Sequence, residues 1–557
     1  MRAGATAGGL DPETLANRVQ SEVDAGRILG AALAVVGGRD LVLARGFGRT
    51  SVEPEGVPVT PTTLFAAASI SKTVLATAVM RLVERGKLSL DVPVLSYLPS
   101  FRFSDQALGA RVTLRHLLSH TSGLPTGGKD WGPPDRDALA RFVHEQLSRY
   151  AFVAEPGRVH LYSNTAICLA GYVAEVVTRT PYRDLVGELV FEPLGMTRST
   201  YDHAVAMTYR VALPHEDDGG QLRAVHRWPD NRSGDPAGFA IAPVADLAQL
   251  ALVHLNGGRW NGRAFLSAAS IREMHAVTGD RHVRAASHPV AHAWEGYGLG
   301  LMLGHYRGAR LVRHGATLQS FAGTFDLLPD RRRAFVLLTN HCDDAGFTDC
   351  TFALRDLLLG LPEAGATARS VLLPVAEPAP DRDAWPAYEG TYLSVPLGRV
   401  VTIARAGGRL SLVDNRRTRR LTAVAPGAYF YEDETFRVPV EFLAPESGPV
   451  EHVFVGGNPY RRCAAEADTT DPTAWPGYVG EYVDPSNMGE GARWRVRLDG
   501  ADLRIAGDWR DKRLVPFGRR SFLSGLGLVE FDIDGSELAI GGATRYVRAQ
   551  ATENRAV

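Results

Sequence analysis

The feature that most constrains this chain is a repeat in its last third. DRDAWPAYEGTYL at 381–393 lines up with DPTAWPGYVGEYV at 471–483, an offset of 90 residues. Trp385/Trp475, Tyr388/Tyr478, Gly390/Gly480 and Tyr392/Tyr482 coincide, and GGRLSLV at 407–413 matches GADLRIA at 500–506 more weakly. Repeated sequence folds as repeated structure. Each copy spans about 85 residues of short alternating runs, room for six to eight strands, which predicts two small antiparallel barrels at 381–468 and 469–557. The repeated aromatics read as barrel core rather than as a stacking platform for nucleic-acid bases. Between these copies and the rest of the chain, 361–380 carries Pro362, Pro374, Pro378 and Pro380 in Ala-rich surroundings and reads as a linker.

Residues 1–360 have a different texture. Asp11 and Pro12 open a helical pattern over 11–27, and strand-like runs at 31–36 and 41–46 flank a Gly-Gly-Arg-Asp turn. SISKTVLATAVMRLVER at 69–85 has the apolar period of a well-buried helix, ended by Gly86. Further helical patterns fall at 112–119, 137–149, 164–179, 243–256 and 268–275. Strand patterns return at 298–303, 310–313, 320–328 and 334–340, the last two joined by Pro329-Asp330-Arg331-Arg332. Strands at both ends of a helical middle predict an α+β layer fold whose N- and C-terminal parts share one sheet.

Three short motifs in this region carry chemistry. Ser69 and Lys72 stand three apart at a helix start, so the amine can reach the hydroxyl. The helix N-terminus adds free backbone N–H groups and a positive dipole end, which favour a developing oxyanion. Lysine is scarce here: Lys72, Lys87, Lys129 and Lys512 are the four among 61 Lys and Arg. A lysine that must lose a proton cannot be exchanged for arginine, which singles out Lys72. Tyr162 and Asn164 sit just before an apolar helix; a phenol beside a cation can serve as base, and an amide can orient a carbonyl. His314-Gly315-Ala316 follows a strand-like run, where small residues let a substrate backbone approach.

Taken in order, S-x-x-K, Y-x-N and H-x-G make the first 345 or so residues resemble the serine β-lactamase and penicillin-binding-protein superfamily. The resemblance is to its class C branch, which includes D-aminopeptidases, esterases and alkaline DD-peptidases. LFAAASISKT (64–73), TLRHLLSHTSGLP (113–125) and PLGMTRSTYD (193–202) look like that branch's structural hallmarks. The resemblance implies Ser69 as nucleophile, Lys72 as the group that helps deprotonate it and Tyr162 as proton shuttle. It implies that Asn164 holds the acyl amide and that the backbone N–H groups of Ser69 and Thr317 form the oxyanion hole. His314 stands where β-lactamases carry lysine, so the cation that grips an antibiotic carboxylate is missing. Ala316 stands where Gly is usual, and its methyl is expected to crowd the strand and narrow the substrates.

A β-lactamase-like domain over 1–360 followed by two lipocalin-like barrels looks like the bacterial D-aminopeptidases. In those enzymes a barrel loop enters the cleft and selects a free amine; Asp484–Gly491 is the corresponding candidate here, with Asp484 and Glu490 offering carboxylates. The implied function is a serine hydrolase of D-amino-acid amides, short peptides or esters. The alternatives are a thioesterase or peptide cyclase passing a carrier-protein-bound acyl group to an amine, and a non-catalytic penicillin-recognising protein.

Other signals point to structure. His116 and His120 have the i, i+4 spacing of a zinc pair but no third ligand, and Cys342, Cys350, Asp343, Asp344 and Asp349 read as a surface loop, so no metal and no cofactor is expected. Cys168, Cys342, Cys350 and Cys463 are too scattered for a disulfide scaffold and read as free thiols. A net charge of −1 gives no reason to expect nucleic acid or an anionic membrane. No signal peptide or spanning stretch is visible, so a cytoplasmic protein is expected, a homodimer being possible.

Overall fold

The computed structural model describes residues 11–126, 134–218, 221–278 apart from 227 and 229, 292–363, and most of 381–548. Breaks in the last stretch fall at 395–397, 415–416, 434–435, 444–448, 457, 464–471, 484–492, 501, 508–509, 517–519, 525–526, 533–534 and 541–543. Two compact units divide the chain: Met1–Pro99, Val112–Thr121 and Ile167–Leu373 in one, Ser100–Arg111, Ser122–Ala166 and Pro374–Val557 in the other.

The first unit is built on a seven-stranded antiparallel sheet. Its strands in chain order are β1 (Ile28–Gly37), β2 (Asp40–Gly48), β3 (His292–Tyr297), β4 (Met302–Tyr306), β5 (Ala309–Leu318), β6 (Phe321–Leu328) and β7 (Arg333–Cys342). They lie side by side as β2-β1-β7-β6-β5-β4-β3, so the two ends of the domain do share one sheet, with Leu33 opposite Leu337. β1 is buried along nearly its whole length, which is why its sequence is a continuous apolar run rather than an alternation. One face is covered by α1 (Pro12–Asp24) and α6 (Asp344–Leu359): Leu15, Val19, Phe352, Leu354 and Leu358 join Leu33, Val35 and Leu337 in one core. Asp11 caps α1, accepting from the Glu13 N–H at 3.1 Å. Against β1 and β7 also packs α4 (Val244–Leu255), while α2 (Ser71–Glu84), α3 (Asn164–Thr178) and α5 (Ala268–Met274) complete the longer helices.

Two expectations change. The segment after β7 is not a surface loop: Asp343 caps α6 by accepting from the Gly346 N–H, and Cys350, within α6, is buried. Nor is 298–303 a strand throughout. Gly298-Leu299-Gly300 is a turn between β3 and β4, because Gly300 (φ 69°) lies so close to α2 that a side chain there would meet the Lys72 carbonyl at 2.6 Å. The four cysteines are free thiols.

In the second unit the repeat becomes two antiparallel barrels. The first is nine-stranded, more than the six to eight expected, because 417–425 is broken at Leu421, whose N–H pairs with the Leu410 carbonyl. The second is an eight-stranded barrel closed between Gly480–Val483 and Thr544–Arg548. The same aromatic device fills the core of both. Tyr388 stacks on Phe442 at 4.1 Å as Tyr478 does on Phe531 at 4.4 Å, and the Tyr392 and Tyr482 hydroxyls donate to the carbonyls of Tyr388 and Tyr478. The shared glycine has a physical cause: a side chain at Gly390 would fall 2.1 Å from the Arg462 guanidinium, and one at Gly480 would fall 2.7 Å from that of Arg548.

Candidate active site

Ser69 lies in a single 3-10 turn, Ala68–Ile70, that leads into α2. Ala68 takes a left-handed φ of 44°, a conformation that costs a non-glycine residue about 1–2 kcal/mol. Ser71 holds it there. Its hydroxyl donates to the Ala68 carbonyl at 2.7 Å and accepts from the Ala240 N–H at 3.0 Å, tying the turn to the segment 237–240.

Lys72, one residue further, is fully buried. Its ammonium donates to Ser69 Oγ at 3.0 Å and to the Ala237 carbonyl at 2.5 Å. Burial pushes its pKa down from 10.5 to about 7. A half-buried hydroxyl within hydrogen-bond reach of an amine that can lose its proton near neutrality is the pairing a serine nucleophile needs. From the other side Thr73 donates to the Gly300 carbonyl at 2.8 Å, fastening α2 to the turn between β3 and β4.

Strand β5 packs against the Ser69 turn and brings the third motif. His314 is buried, and burial, reinforced by the Lys72 cation, holds its imidazole down at about 3, hence neutral. Its Nε2 lies 2.7 Å from the Tyr297 hydroxyl and its Nδ1 2.7 Å from the Gly315 carbonyl. Thr317 is exposed at the end of the same strand. Ala316 precedes it on β5. It is 4% exposed and opposite Gly323, where a side chain would meet the Ala316 methyl at 3.3 Å. The methyl therefore fills space that glycine vacates across the sheet.

Tyr162 and Asn164 belong to the second unit. Asn164 opens α3, exposed, its N–H donating to Thr126 Oγ1 at 3.2 Å; Tyr162 is half-buried; and Ser163 between them donates to the Pro125 carbonyl at 2.9 Å. The run leading to them is held by the first barrel, whose Leu443 and Phe454 pack on Ala154, Val159 and Leu161 while His452 Nε2 lies 3.3 Å from the Val153 carbonyl. Asp484 and Glu490 lie outside the described residues.

His116 and His120 are structural. His116 completes a capping box with Thr113, and the buried His120 ring packs edge-on to Tyr297 at 4.5 Å. Among the described residues no cluster of His, Cys, Asp and Glu suits a metal ion, and no helix is long and apolar enough to cross a membrane. Sequence reasoning missed Ser71, the Ala237 carbonyl and Tyr297. Only Tyr297 left a trace, in the Gly-rich YGLG of 297–300.

The chain is similar to known proteins over much of its length. A family model described as Beta-lactamase matches residues 15–359. Penicillin-binding protein 4 of Amycolatopsis lactamdurans is 32% identical over 361 residues, covering 63% of this chain and 90% of that one. Among solved structures, SurE is similar over 81% of this chain and 99% of its own at 24% identity with a TM-score of 0.63, and its structure with D-Leu gives 0.59. The D-amino acid amidase of Ochrobactrum anthropi SV3, complexed with L-phenylalanine, is 21% identical over 62% of this chain and 98% of its own, with a TM-score of 0.50.

Proposed function

Because the chain belongs to the β-lactamase family, whose members here are serine hydrolases, we propose that it forms an acyl-enzyme on Ser69 and acts on D-aminoacyl amides, short peptides or esters. The observation that carries this reading is Lys72 Nζ at 3.0 Å from Ser69 Oγ, buried, with a pKa of about 7. At neutral pH such an amine is unprotonated about half the time.

In this reading Lys72 takes the Ser69 proton as the Oγ–carbonyl bond forms, and the N–H groups of Ser69 and Thr317 receive the oxyanion. Tyr162 hands a proton to the leaving amine or alcohol as its bond to the carbonyl carbon breaks, and Asn164 orients the acyl amide. Water then attacks the ester carbonyl, giving its proton to the Tyr162 phenolate, and the bond to Ser69 Oγ breaks as Lys72 returns the proton to it. The neutral His314 supports substrates without a carboxylate beside the strand. The D-configuration is supported by the amidase and by the D-Leu complex of SurE. Asp484 and Glu490 are our candidates for the substrate ammonium.

The test is a panel of D- and L-phenylalanine p-nitroanilides and methyl esters, followed by intact mass. We expect turnover of the D-series, an acyl adduct in the full chain, and neither with Ser69→Ala. An added amine acceptor divides hydrolysis from acyl transfer. Equal turnover by Ser69→Ala would overturn the reading, and faster turnover of the L-series would overturn its substrate. Glu490→Gln is expected to raise KM for free-amine substrates and not for their N-acetylated forms.

A further inference from the structure

Two acceptors cannot share a hydrogen bond, and this fixes one proton on His314. Its Nδ1 lies 2.7 Å from the Gly315 carbonyl, which can only accept, so Nδ1 carries a proton. In a neutral ring Nε2 is then an acceptor, and the group 2.7 Å from it is the Tyr297 hydroxyl, which must donate. The chain therefore runs one way, from the Tyr297 O–H to Nε2, then from Nδ1–H to the Gly315 carbonyl.

The fold holds Tyr297 in place from several sides. It is the last residue of β3, opposite Met302 of β4, and Met302 is in turn opposite Arg313 of β5. Its ring is 1% exposed and held by the edge of His120 at 4.5 Å. The YGLG turn that follows is locked to α2 by Thr73 and the close approach of Gly300.

We propose that Tyr297 is a positioning residue that holds His314 as the neutral Nδ1–H tautomer, and that this makes the β5 side of the site select acyl groups bearing no carboxylate there. Charged and titratable groups facing the pair are consistent with it. Lys72 on the same side, and Arg313 from the opposite face of β5, are cations whose fields oppose a charge on the ring, and His120 abuts Tyr297. A lysine at this position would draw an anion; a neutral imidazole whose two nitrogens are both engaged does not. The phenol, by spending its proton on His314, keeps the ring from turning to offer an N–H to one.

The substrate arm rests on the acyl-transfer reading above; the tautomer does not, and the two are measured separately. In full-chain protein labelled with 15N-histidine, the His314 signals, assigned by their loss in His314→Gln, are expected to show a protonated Nδ1 and a bare Nε2 from pH 8 down to 5. An Nε2–H tautomer or an imidazolium at pH 7 overturns the proposal without reference to activity. Tyr297→Phe keeps the ring and removes the donor. It is expected to abolish the single-tautomer pattern and to lower about tenfold the preference in kcat/KM for p-nitrophenyl butyrate over mono-p-nitrophenyl succinate, with the loss greatest below pH 6. An unchanged pattern or an unchanged preference overturns it. Loss of turnover of both esters by wild type, with the tautomer as stated, would sink the acyl-transfer reading instead.

Discussion

Arg313 and His314 are neighbours on β5 and face opposite ways, and the two faces treat buried charge differently. On the Arg313 side the Asp326 carboxylate accepts from Arg355 at 2.6 Å, pairs with Arg313 at 3.3 Å and accepts from Thr324. Burial alone would push Asp326 up, but Arg355 and Arg313 outweigh it and hold it below the ordinary carboxylate range. On the His314 side the buried cation is Lys72, which donates to a neutral hydroxyl and a neutral carbonyl. Its ammonium is pushed down rather than up. A buried charge matched by its opposite holds a fold together; a buried amine among neutral acceptors is set up to give and take a proton.

Removing each charge should separate the two roles. The largest effect is expected on the site side: Lys72→Met should slow acyl-enzyme formation by roughly a thousandfold or more, with the melting temperature unchanged or raised, since a buried cation is replaced by a volume-matched apolar chain. Stopped-flow acylation and calorimetry read the two together. A melting loss like that of the next variant would break the comparison. Asp326→Asn should do the reverse, costing about 3–5 kcal/mol because two guanidinium groups lose their counter-charge, while the folded fraction keeps its turnover per Ser69 adduct. Denaturant unfolding gives the first figure and active-site titration the second.

Acid probes a third arrangement, two bases buried side by side in the scaffold. His254 Nδ1 and His275 Nε2 are 3.0 Å apart, with the rings stacked. Burial holds His254 down at about 4, and burial together with the neighbouring His254 holds His275 well below its ordinary value. Unfolded, both titrate near 6.5, so the unfolded chain takes up more protons between those values. Their contribution is therefore complete above pH 6.5 and declines as the pH falls toward 4. The melting temperature should drop over that window and drop less in His254→Gln; an equal slope in the variant would show that the pair does not titrate as described. The smallest effect is expected from Ala316→Gly, about 0.5–1 kcal/mol of stability with the substrate preference intact, because the methyl fills the sheet opposite Gly323. A widened substrate range would return Ala316 to the site.

What was legible in the sequence is what period and repetition encode. The Trp-x-x-Tyr-x-Gly-x-Tyr repeat foretold two barrels, and the shared sheet followed from strands at both ends of the first 360 residues. Ser69, Lys72 and His314 were legible because spacing on a helix and a small-residue strand are local signals. Three things were not. Tyr297 meets His314 across β4, so no local pattern links positions 297 and 314. The strained Ala68 is an ordinary residue whose conformation is imposed by Ser71 and Ala240. The support that Leu443 and Phe454 give to 154–161 lies outside the repeated positions, where nothing in the pattern marks it.

The central claim is that Lys72 serves Ser69 as an unprotonated amine, and the rate at which a fluorophosphonate labels Ser69, followed by mass from pH 5 to 10, tests it most directly. The account predicts a rate that rises with pH through one titration near 7 and disappears in Lys72→Met. A midpoint near 10.4, where an ordinary lysine titrates, or labelling that survives the loss of Lys72, would contradict it.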